Sequence, residues 1–434
     1  MPDYDIAILG GGPAGTAAAL TLSKRPDLKT VVLEQGSYAA PKVGESLSPG
    51  VRSLLQYLNV WERFQREQTL ELFGTEAAWG QATLGAMDFI FTLHGTGWAL
   101  DRQRFETMLA DEAARAGATI LTDTQVSGCE YQNDTWWIDH EGQTLNAKYL
   151  IDAAGRTSAF SIRRGAVRQR NDALVALTAR LPARSGGPQM TRVEAVPLGW
   201  WYAAPLPSGQ VIVCLFSDAD QVHQARLSDP TAWRRALEAT THVSQLVDFD
   251  EKPLKIEVEP AFSALSSSTP SDVPMIAAGD AIAARDPLSA SGIPNAMGGG
   301  VQAARVAADH LFGEGHLRAA YLHSIAADHQ AYLKTHWKTY GVEQRFKDEP
   351  FWRFRQTQVT RPPNTLVRAA QRLDRETSIF VPNKVARWIF AAARQDVTQL
   401  HLITHARAEF PAISDERLLL AIEELTVDVQ AEQV

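Results

Sequence analysis

The chain has 434 residues, of which 45% are hydrophobic and 21% are charged, and its formal net charge is -8. This composition is typical of a globular protein long enough to form two or three packed domains around a large ligand. The slight negative charge argues against nucleic acid or an anionic membrane as the main partner. The only cysteines in the sequence are Cys129 and Cys214, so we expect neither a disulfide framework nor a cysteine-based zinc site.

The opening stretch MPDYDIAILGGGPAG has no basic region and no apolar run of signal-peptide length. No apolar run in the sequence reaches the roughly 18 residues that a membrane span requires. These features predict a soluble, cytoplasmic protein without a membrane partner. His401 and His405 are spaced like a pair of metal ligands, but they lack the intervening glutamate of a zincin motif, so we expect no bound metal.

The first predicted elements are a strand, a glycine turn and a helix. A buried-type strand over residues 6–9 is followed by Gly10, Gly12 and Gly15 in G-x-G-x-x-G spacing. Such a turn lets the backbone N–H groups at the start of the next helix approach a pyrophosphate. A second strand ends at Glu34, where a carboxylate accepts hydrogen bonds from a ribose diol. This order predicts a bound dinucleotide, although the spacing does not separate NAD from FAD.

Further motifs follow in chain order. The loop PKVGESLSPG (residues 41–50) is predicted to pass near the middle of the dinucleotide, and Asp101-Arg102 precedes an amphipathic helix with Phe105, Leu109 and Ala113 on one face. After an alternating β-meander, the strand in KYLIDAAGR leads to Gly155. A strand over residues 274–278 precedes GDAIAARDPLSASGIPNAMGGG (residues 279–300). Its small side chains would let a flat or charged group lie against the backbone.

Taken together, these motifs resemble the FAD-dependent monooxygenases of the aromatic-hydroxylase type and their relatives, the flavin-dependent halogenases and geranylgeranyl reductases. The resemblance covers roughly residues 4–355. It implies an α/β fold in which a Rossmann-like FAD-binding domain (PHBH-type) is interleaved with a β-sheet substrate domain. We expect the FAD-binding domain in residues 1–75, 100–170 and 271–360, the substrate domain in residues 76–99 and 171–270, and a small C-terminal helical domain in residues 361–434.

The resemblance also implies a set of FAD contacts: Gly10, Gly12, Pro13, Ala14, Gly15, Glu34, Gln35, Ser46, Arg102, Val126, Ala154, Gly155, Gly279, Asp280, Pro287, Gly292 and Ile293. Arg102 corresponds to a position at the FAD phosphates, and Asp280 to one at the ribityl and phosphate part. Pro287 and Gly292, which are also candidate catalytic residues, correspond to positions beside the isoalloxazine ring, where the small residues would make room for the flavin. The alternatives are an ordinary surface ion pair for Arg102 and an ordinary turn around Gly292.

The halogenases share the motif VGES (residues 43–46) with this sequence. Two other features distinguish the sequence from them. Those enzymes depend on a lysine beyond this motif, whereas no lysine lies between Val43 and Ala147. Their G-W-x-W-x-I-P signature is only half present in GWWYAAP (residues 199–205). The sequence is more similar to flavoproteins that mature tryptophylquinone cofactors, of the quinohemoprotein amine dehydrogenase maturation type, in VGESLSPG, AWG, GWALDR and YLKTHWKTYGVEQRFKDEPFWRFR.

This resemblance implies a reaction in which NADH or NADPH reduces FAD and a flavin C4a-hydroperoxide hydroxylates an aromatic ring. The favoured substrate is a tryptophan of a precursor protein or peptide, while a free small aromatic, halogenation and a non-catalytic flavin-bound escort remain open. Glu45 is a candidate catalytic base, or else a loop carboxylate that caps the following helix. Candidate substrate contacts, each with plain core packing as the alternative, are Trp79, Phe89, Phe91, Trp98, Trp200, Trp201 and Tyr202.

Two segments keep open interpretations. The run RRGAVRQR contains Arg163, Arg164, Arg168 and Arg170, which would attract an NADPH phosphate or an acidic partner, or form a solvated face. Beyond RPPN (residues 361–364), two amphipathic helices are predicted, the second capped by Ser414. This C-terminal region either covers the core or docks a protein substrate.

Overall fold

The computed structural model describes residues 2–40, 42–89, 95–157, 159–249, 253–266, 273–313, 315–357, 366–369, 381–413, 417–418, 421–422 and 425–428. The chain forms two compact units. The first comprises Met1–Leu333 and Glu343–Phe351, and the second comprises Lys334–Val342 and Trp352–Val434. Among the residues described, no helix is both long enough and apolar enough to cross a membrane.

The strands of the first unit are β1 (Tyr4–Leu9), β2 (Thr30–Leu33), β3 (Ser46–Leu47), β4 (Leu70–Leu72), β5 (Gly74–Ala78), β6 (Gly85–Asp88), β7 (Gly97–Ala99), β8 (Thr119–Leu121), β9 (Val126–Gln132), β10 (Thr135–His140), β11 (Gln143–Asp152), β12 (Arg168–Arg170), β13 (Leu174–Pro182), β14 (Met190–Val196), β15 (Gly199–Pro205), β16 (Gln210–Asp218), β17 (Glu257–Pro260), β18 (Ala264–Ser266), β19 (Met275–Ala277) and β20 (Ala283–Ala284). The second unit contains β21 (Leu366–Ala369), β22 (Val397–Thr398) and β23 (Thr426–Asp428).

The helices are α1 (Pro13–Leu22), α2 (Val51–Tyr57), α3 (Trp61–Phe64), α4 (Arg102–Arg115), α5 (Ala159–Arg163), α6 (Ala219–Gln224), α7 (Pro230–Glu238), α8 (Gly292–Phe312), α9 (Leu317–Gly341), α10 (Pro350–Thr357), α11 (Asn383–Ala392) and α12 (Gln399–Glu409). The side chain of Asp101 caps α4 by accepting a hydrogen bond from the N–H of Arg104 (3.1 Å). Phe105, Leu109 and Ala113 are buried on the inner face of α4, which confirms the predicted amphipathic helix.

A seven-stranded sheet contains the strands on either side of the glycine turn in the first unit. Its order is β8-β2-β1-β11-β10-β9, with β19 also paired to β11. The strands β8, β2, β1, β11 and β19 are parallel, so their carboxyl ends meet at one edge. Helices α1, α4 and α8 pack against this sheet through buried alanine, leucine and valine side chains. The parallel strands and the helices packed on them confirm the predicted α/β fold. Ligands of open α/β sheets bind outside this carboxyl edge.

A second seven-stranded sheet has the order β17-β13-β16-β15-β14-β5-β6. It joins strands from two separated stretches of chain, because β5 pairs in parallel with β14. One face, which includes Leu177, Leu215 and Trp201, packs against Trp233 and Leu237 of α7. The opposite face carries Thr178, Arg180, Tyr202 and Cys214 among others, because residues two apart on a strand share a face. We refer to the opposite face as the polar-aromatic face.

The second unit has a hydrophobic core formed by residues of α11 and α12 and by Leu418, Ala421, Ile422 and Leu425. α11 corresponds to the first predicted C-terminal helix, whereas Ser414 lies outside the described residues. The unit also contains a three-stranded sheet in the order β22-β21-β23, which the sequence pattern did not indicate. All three strands are four residues or shorter, too short for alternating hydrophobicity to be recognised.

Candidate active site

The glycine turn between β1 and α1 is tightly packed on one side and open on the other. Gly10 has a φ of +101°, and a Cβ atom there would lie 2.5 Å from the carbonyl oxygen of Ala153. A Cβ at Gly15 would lie 1.9 Å from the carbonyl oxygen of Gly10, whereas one at Gly12 would meet no atom within 4 Å. The turn therefore requires glycine at positions 10 and 15, and the space beside Gly12 is free for a phosphate.

A cavity of about 950 Å³ opens beside this turn. The side chain of Glu34, which is 8% exposed, lies in its wall and accepts hydrogen bonds from the N–H groups of Gly11 (2.7 Å) and Gly36 (3.0 Å). A carboxylate has further lone pairs with which to accept hydrogen bonds from a ribose diol. The cavity brings together the predicted cofactor contacts Gly10, Gly12, Pro13, Glu34, Gln35, Arg102, Val126, Ala154 and Gly155.

Arg102 lies at the start of α4 and lines the same cavity. Its guanidinium forms an ion pair with the buried carboxylate of Glu106 and donates to the carbonyl oxygens of Val43 and Gly44. The Arg102 Nε atom is buried and has no hydrogen-bond partner among the described residues. A buried donor without an acceptor is costly, and the positive charge of the Arg102 guanidinium at the cavity wall would attract a phosphate. The free space at Gly12, the Glu34 carboxylate and this guanidinium together fit the phosphates and ribose of FAD.

The Asp-Pro bend, which we define as residues 286–292, lies after β20. The side chain of Asp286 is fully buried and accepts a hydrogen bond from the N–H of Leu288 (2.8 Å), while the Asp286 N–H donates to the hydroxyl of Tyr332 (2.8 Å). Pro287 begins a short 3-10 turn that ends at Ala290, a residue with a φ of +47°. These contacts fix the bend as a defined surface ahead of α8.

Small residues around this bend have two different roles. A Cβ at Gly300 would lie 2.0 Å from the carbonyl oxygen of Ala14, and one at Gly279 would lie 2.8 Å from the Ala14 Cβ. Close packing of α1 therefore requires glycine at position 300 of α8 and at position 279, in the short turn after β19. A Cβ at Gly292 or Gly298 would meet no atom within 4 Å. The space predicted for a flavin therefore lies beside Gly292 and Gly298, whereas Gly279 and Gly300 allow close packing.

Asp280 and Ile293 lie on either side of the Asp-Pro bend. The Asp280 carboxylate forms an ion pair with Arg156 (3.1 Å), while Ile293 is 8% exposed and belongs to the hydrophobic core of the FAD domain. Arg156 also donates to the carbonyl of Arg285 (3.1 Å). Arg156 therefore links the chain that follows β11 to Asp280 and to Arg285, the residue before the Asp-Pro bend.

The predicted basic cluster is divided: Arg164 and Arg168 are half-buried, whereas Arg163 and Arg170 are exposed. Arg168 donates to the carbonyl oxygens of Asp280 (2.9 Å) and Ala281 (3.0 Å), and the guanidinium of Arg170 lies 4.1 Å from the ring centre of Phe262. Arg164 donates to the carbonyl of Cys129, and Arg163 lines the cavity beside Arg164. Arg168 in particular stabilises the backbone that carries Asp280.

Glu45, the predicted catalytic carboxylate, is buried with 3% of its surface exposed. It precedes β3, and its Oε2 accepts the N–H of Gly44 (2.8 Å). Its Oε1 lies 3.4 Å from a guanidinium nitrogen of Arg180 on β13. Burial raises the pKa of Glu45 to about 7, and the positive charges of Arg102 and Arg180 oppose this rise. Near neutral pH the Glu45 carboxyl can therefore both accept and release a proton.

The Glu45 carboxyl faces the polar-aromatic face of the second seven-stranded sheet. Burial first, and then the negative charge of Glu45, raise the pKa values of the Tyr202 hydroxyl and the Cys214 thiol above their ordinary ranges. The Tyr202 hydroxyl is also hydrogen-bonded to Ser46. Two residues before Tyr202 on β15, Trp200 stacks on Phe216 with ring centres 4.1 Å apart. A carboxyl group and aromatic rings thus share one surface.

The candidate substrate aromatics fall into separate environments. Trp79 is half-buried and lies edge-on to Trp200, with ring centres 6.4 Å apart. Trp200 is 1% exposed, so Trp79 and the half-buried Tyr202 are the more accessible rings. Trp201 is a correction to the predicted set: it points to the opposite face and packs against Trp233 (5.1 Å).

Trp98 and Phe89 lie apart from the rings of the polar-aromatic face. Trp98 packs edge-on against Trp61 and Phe64 in the core of the FAD domain. A Cβ at Gly97 would lie 2.9 Å from the ring of Phe89, which places that ring against β7. Phe91 lies outside the described residues. We therefore retain Trp79, Trp200 and Tyr202 as the aromatic wall.

Arg180 is a site residue that the sequence reasoning missed. It lies in the apolar strand β13, in the segment LVALTARLP. The sequence signal for Arg180 was a charged side chain within an otherwise apolar strand, where charged residues are uncommon. Its nearest carboxylates are those of Glu45 (3.4 Å) and Glu257 (3.7 Å).

Comparison with known proteins agrees with this geometry. A family model described as an FAD binding domain matches residues 3–323. The chain belongs to this family of FAD-binding proteins. FAD is accordingly its cofactor, and Gly12, Glu34 and Arg102 are residues that fit it.

Several individual proteins are similar to the chain. LodB of Marinomonas mediterranea, whose name describes an FAD-dependent oxidoreductase, is 28% identical over 363 residues, which cover 82% of this chain and 97% of LodB. The solved structure of QhpG, a peptidyl tryptophan dihydroxylase essential for tryptophylquinone cofactor biogenesis, is 25% identical with a TM-score of 0.69, and the match covers 85% of this chain and 83% of QhpG. The flavin-dependent halogenase CmlS superposes with a TM-score of 0.74 at 21% identity, over 95% of this chain and 78% of CmlS.

These similarities confirm the predicted membership of the FAD-dependent monooxygenase and halogenase-like superfamily. The curated relatives also include the 1H-pyrrole-2-carbonyl-[peptidyl-carrier protein] chlorinase of Pseudomonas fluorescens, 27% identical over 195 residues, which cover 38% of this chain and 42% of that enzyme. The chain is therefore an FAD-dependent oxidoreductase of a superfamily that contains both hydroxylases and halogenases.

Proposed function

We propose that the protein is an FAD-dependent monooxygenase that uses NADH or NADPH and O2 to hydroxylate the ring of a tryptophan in a precursor protein, during maturation of a tryptophylquinone cofactor. The observation that carries this proposal is the position of Glu45, a buried carboxyl group with a pKa raised to about 7 beside Tyr202 and the aromatic rings of the polar-aromatic face. When bound, FAD supplies the redox chemistry with O2.

The residues of the chain have three tasks in this reaction. Gly12, Glu34 and Arg102 hold the cofactor. Trp79, Trp200 and Tyr202 form an apolar aromatic wall that orients the substrate ring and keeps water away from the oxygen-activating centre. Glu45 accepts the proton that the indole N–H or a new phenolic group releases, and its pKa near 7 suits that role at neutral pH.

Hydroxylation is favoured over halogenation by residues that are absent from this sequence. No lysine lies between Val43 and Ala147, although the halogenases that this chain resembles need one in that region to relay the oxidised halide. Tyr202 and Ala204 also replace two positions of the halogenase signature in GWWYAAP. The tryptophan substrate is supported by the match to QhpG, which extends over most of both chains.

The test is mass spectrometry of candidate precursor proteins co-produced with this chain from neighbouring genes. We expect an oxygen gain on one tryptophan with wild type, and a strongly reduced gain with Glu45→Gln. The exposed Glu62→Gln, on α3, is the matched control and should behave like wild type. A halogen gain in the presence of chloride or bromide, or binding of the precursor without any mass change, would contradict the proposal.

A further inference from the structure

We infer that Glu343 and Arg345 are positioning residues that fix Trp79 as one wall of the site for the substrate ring. This inference rests on the proposed function, because it assigns a task to a residue pair that neither touches the FAD cavity nor lies on the substrate sheet. Both residues belong to the short segment Glu343–Phe351, which is part of the first unit. Trp79 lies in the same unit.

The pair holds the backbone on both sides of Trp79. The Arg345 Nη2 donates to the carbonyl oxygen of Ala78 (3.1 Å), and the N–H of Gly80 donates to the Glu343 Oε2 (2.8 Å). These are the two peptide groups that flank the Trp79 Cα atom. Since the peptide groups are planar, holding both of them restricts the two backbone dihedrals of Trp79 and thus the direction of its side chain.

The pair is itself rigid. The Arg345 Nε donates to the Glu343 Oε1 (2.9 Å), its Nη2 donates to the Glu343 Oε2 (2.5 Å), and the Arg345 backbone N–H also donates to Oε1 (2.9 Å). This two-point geometry is the strong form of an arginine–carboxylate contact. Burial acts to raise the pKa of Glu343, but the hydrogen bonds from Arg345 and the N–H of Gly80 outweigh it and lower the pKa. The Glu343 side chain is fully buried, so it stays ionised and in place.

The held residue lies where the substrate is expected. Trp79 follows β5, and its ring lies edge-on to Trp200 of the polar-aromatic face (6.4 Å between ring centres). Tyr202, two residues further along β15, interacts with Glu45. Gly80 has a φ of +73°, a conformation that other residues rarely adopt. The chain therefore turns away immediately after Trp79, and the Glu343–Arg345 pair stabilises that turn from a segment 263 residues away in sequence.

The experiment compares Glu343→Gln and Arg345→Lys with Trp79→Phe and with Asp248→Asn, all as FAD-loaded full-length protein. Asp248→Asn breaks an exposed ion pair with Arg184 (3.3 Å) and is the control for loss of any ion pair. Hydroxyl-radical footprinting measures the oxidation rate of Trp79, and kinetics with the precursor identified above give KM and kcat separately. Thermal unfolding of each variant verifies that it is folded.

We expect the radical oxidation of Trp79 to rise several-fold in Glu343→Gln and less in Arg345→Lys, which retains the charge but not the planar fork. We expect KM for the precursor to rise about tenfold in Glu343→Gln with kcat nearly unchanged, as in Trp79→Phe, because a contact that binds the ring equally in the ground state and the transition state is lost. The double variant Glu343→Gln/Trp79→Phe should show no further rise in KM.

Unchanged Trp79 oxidation in folded Glu343→Gln would overturn the inference, and so would additive effects of the two substitutions on KM. If wild type oxidises no precursor while Trp79 oxidation rises only in the Glu343 and Arg345 variants, the proposed function fails and the positioning of Trp79 stands. The two failures are therefore distinguishable.

Discussion

The Oε1 of Glu45 lies 3.4 Å from a guanidinium nitrogen of Arg180, and this contact joins the loop before β3 to the second seven-stranded sheet. Glu45 precedes β3, whereas Arg180 lies on β13, which pairs with the edge strand β17 in the second sheet. Arg180 and Arg102 supply the positive charge that partly offsets the burial of Glu45. The carboxyl group therefore stays near the midpoint of its titration at neutral pH rather than being permanently neutral.

Activity should depend on the ionisation of Glu45. Because burial raises its pKa to about 7, the fraction able to accept a proton increases as the pH rises through 7, and the rate of oxygen transfer should rise with it. We expect Glu45→Gln to lower kcat by about 10² to 10⁴ and to abolish this rise. Steady-state kinetics between pH 5.5 and pH 8.5, values chosen to span about one and a half units on either side of that pKa, measure both effects. A Gln variant with the wild-type profile would exclude Glu45 as the base.

The same group should make stability depend on pH. The ordinary pKa of this carboxyl is 4.5, and in the folded protein it is about 7. Below 4.5 Glu45 is protonated in both states; between these values the folded state holds the proton more tightly, so stability falls as the pH rises, and above 7 the loss is complete. A shift of this size corresponds to about 3 kcal/mol of unfolding free energy.

Glu45→Gln removes this dependence, so the stability of the variant relative to wild type should increase between pH 4.5 and pH 7. Urea unfolding of both proteins at several pH values in this range measures the difference. Since all other titrating groups are common to both proteins, they cancel in the comparison. Parallel stability curves would show that the Glu45 pKa is not raised in the folded protein.

Two glycines of α8 offer a matched pair. A Cβ at Gly300 would lie 2.0 Å from the backbone oxygen of Ala14, whereas one at Gly298 would meet nothing within 4 Å. We expect Gly300→Ala to destabilise the protein by about 1–3 kcal/mol through overpacking and to lower its FAD content, because Ala14 belongs to the glycine turn. Gly298→Ala should stabilise the FAD-free protein by about 0.5–1 kcal/mol. Thermal unfolding and the flavin absorbance of purified protein measure both; equal effects would contradict the packing of α8 on α1.

Several elements of this architecture could be predicted from the sequence because their residue patterns are local. The strand, glycine turn and helix around Gly10–Gly15, and the buried face of Phe105, Leu109 and Ala113, depend on spacings within one or two elements. The contact between Glu45 and Arg180 spans 135 residues, and no local pattern reports it. Because side chains alternate along β15, Trp201 lies on the opposite face from Trp200 and Tyr202. The sequence alone does not show which of the two faces packs against α7.

Arg102 should contribute to FAD affinity through its guanidinium. Charge-assisted hydrogen bonds of this kind contribute about 1.5–3 kcal/mol, so we expect Arg102→Ala to raise the Kd for FAD by about 10- to 100-fold. Arg104→Ala is the control, because Arg104 lies on the same helix with 47% of its side chain exposed and does not line the cavity. Fluorescence titration of the FAD-free protein gives both constants. An unchanged Kd for Arg102→Ala would remove Arg102 from the phosphate site.

The account depends most directly on transfer of an oxygen atom from O2 to a tryptophan of a precursor protein. The decisive measurement is a single incubation of the FAD-loaded protein with nicotinamide cofactor and precursor under isotopically heavy O2 in ordinary water, followed by mass spectrometry of the precursor peptides. The account predicts heavy oxygen on one tryptophan, dependent on Glu45. Oxygen derived from water, a halogen in its place, or an unmodified precursor alongside oxidised nicotinamide would contradict it.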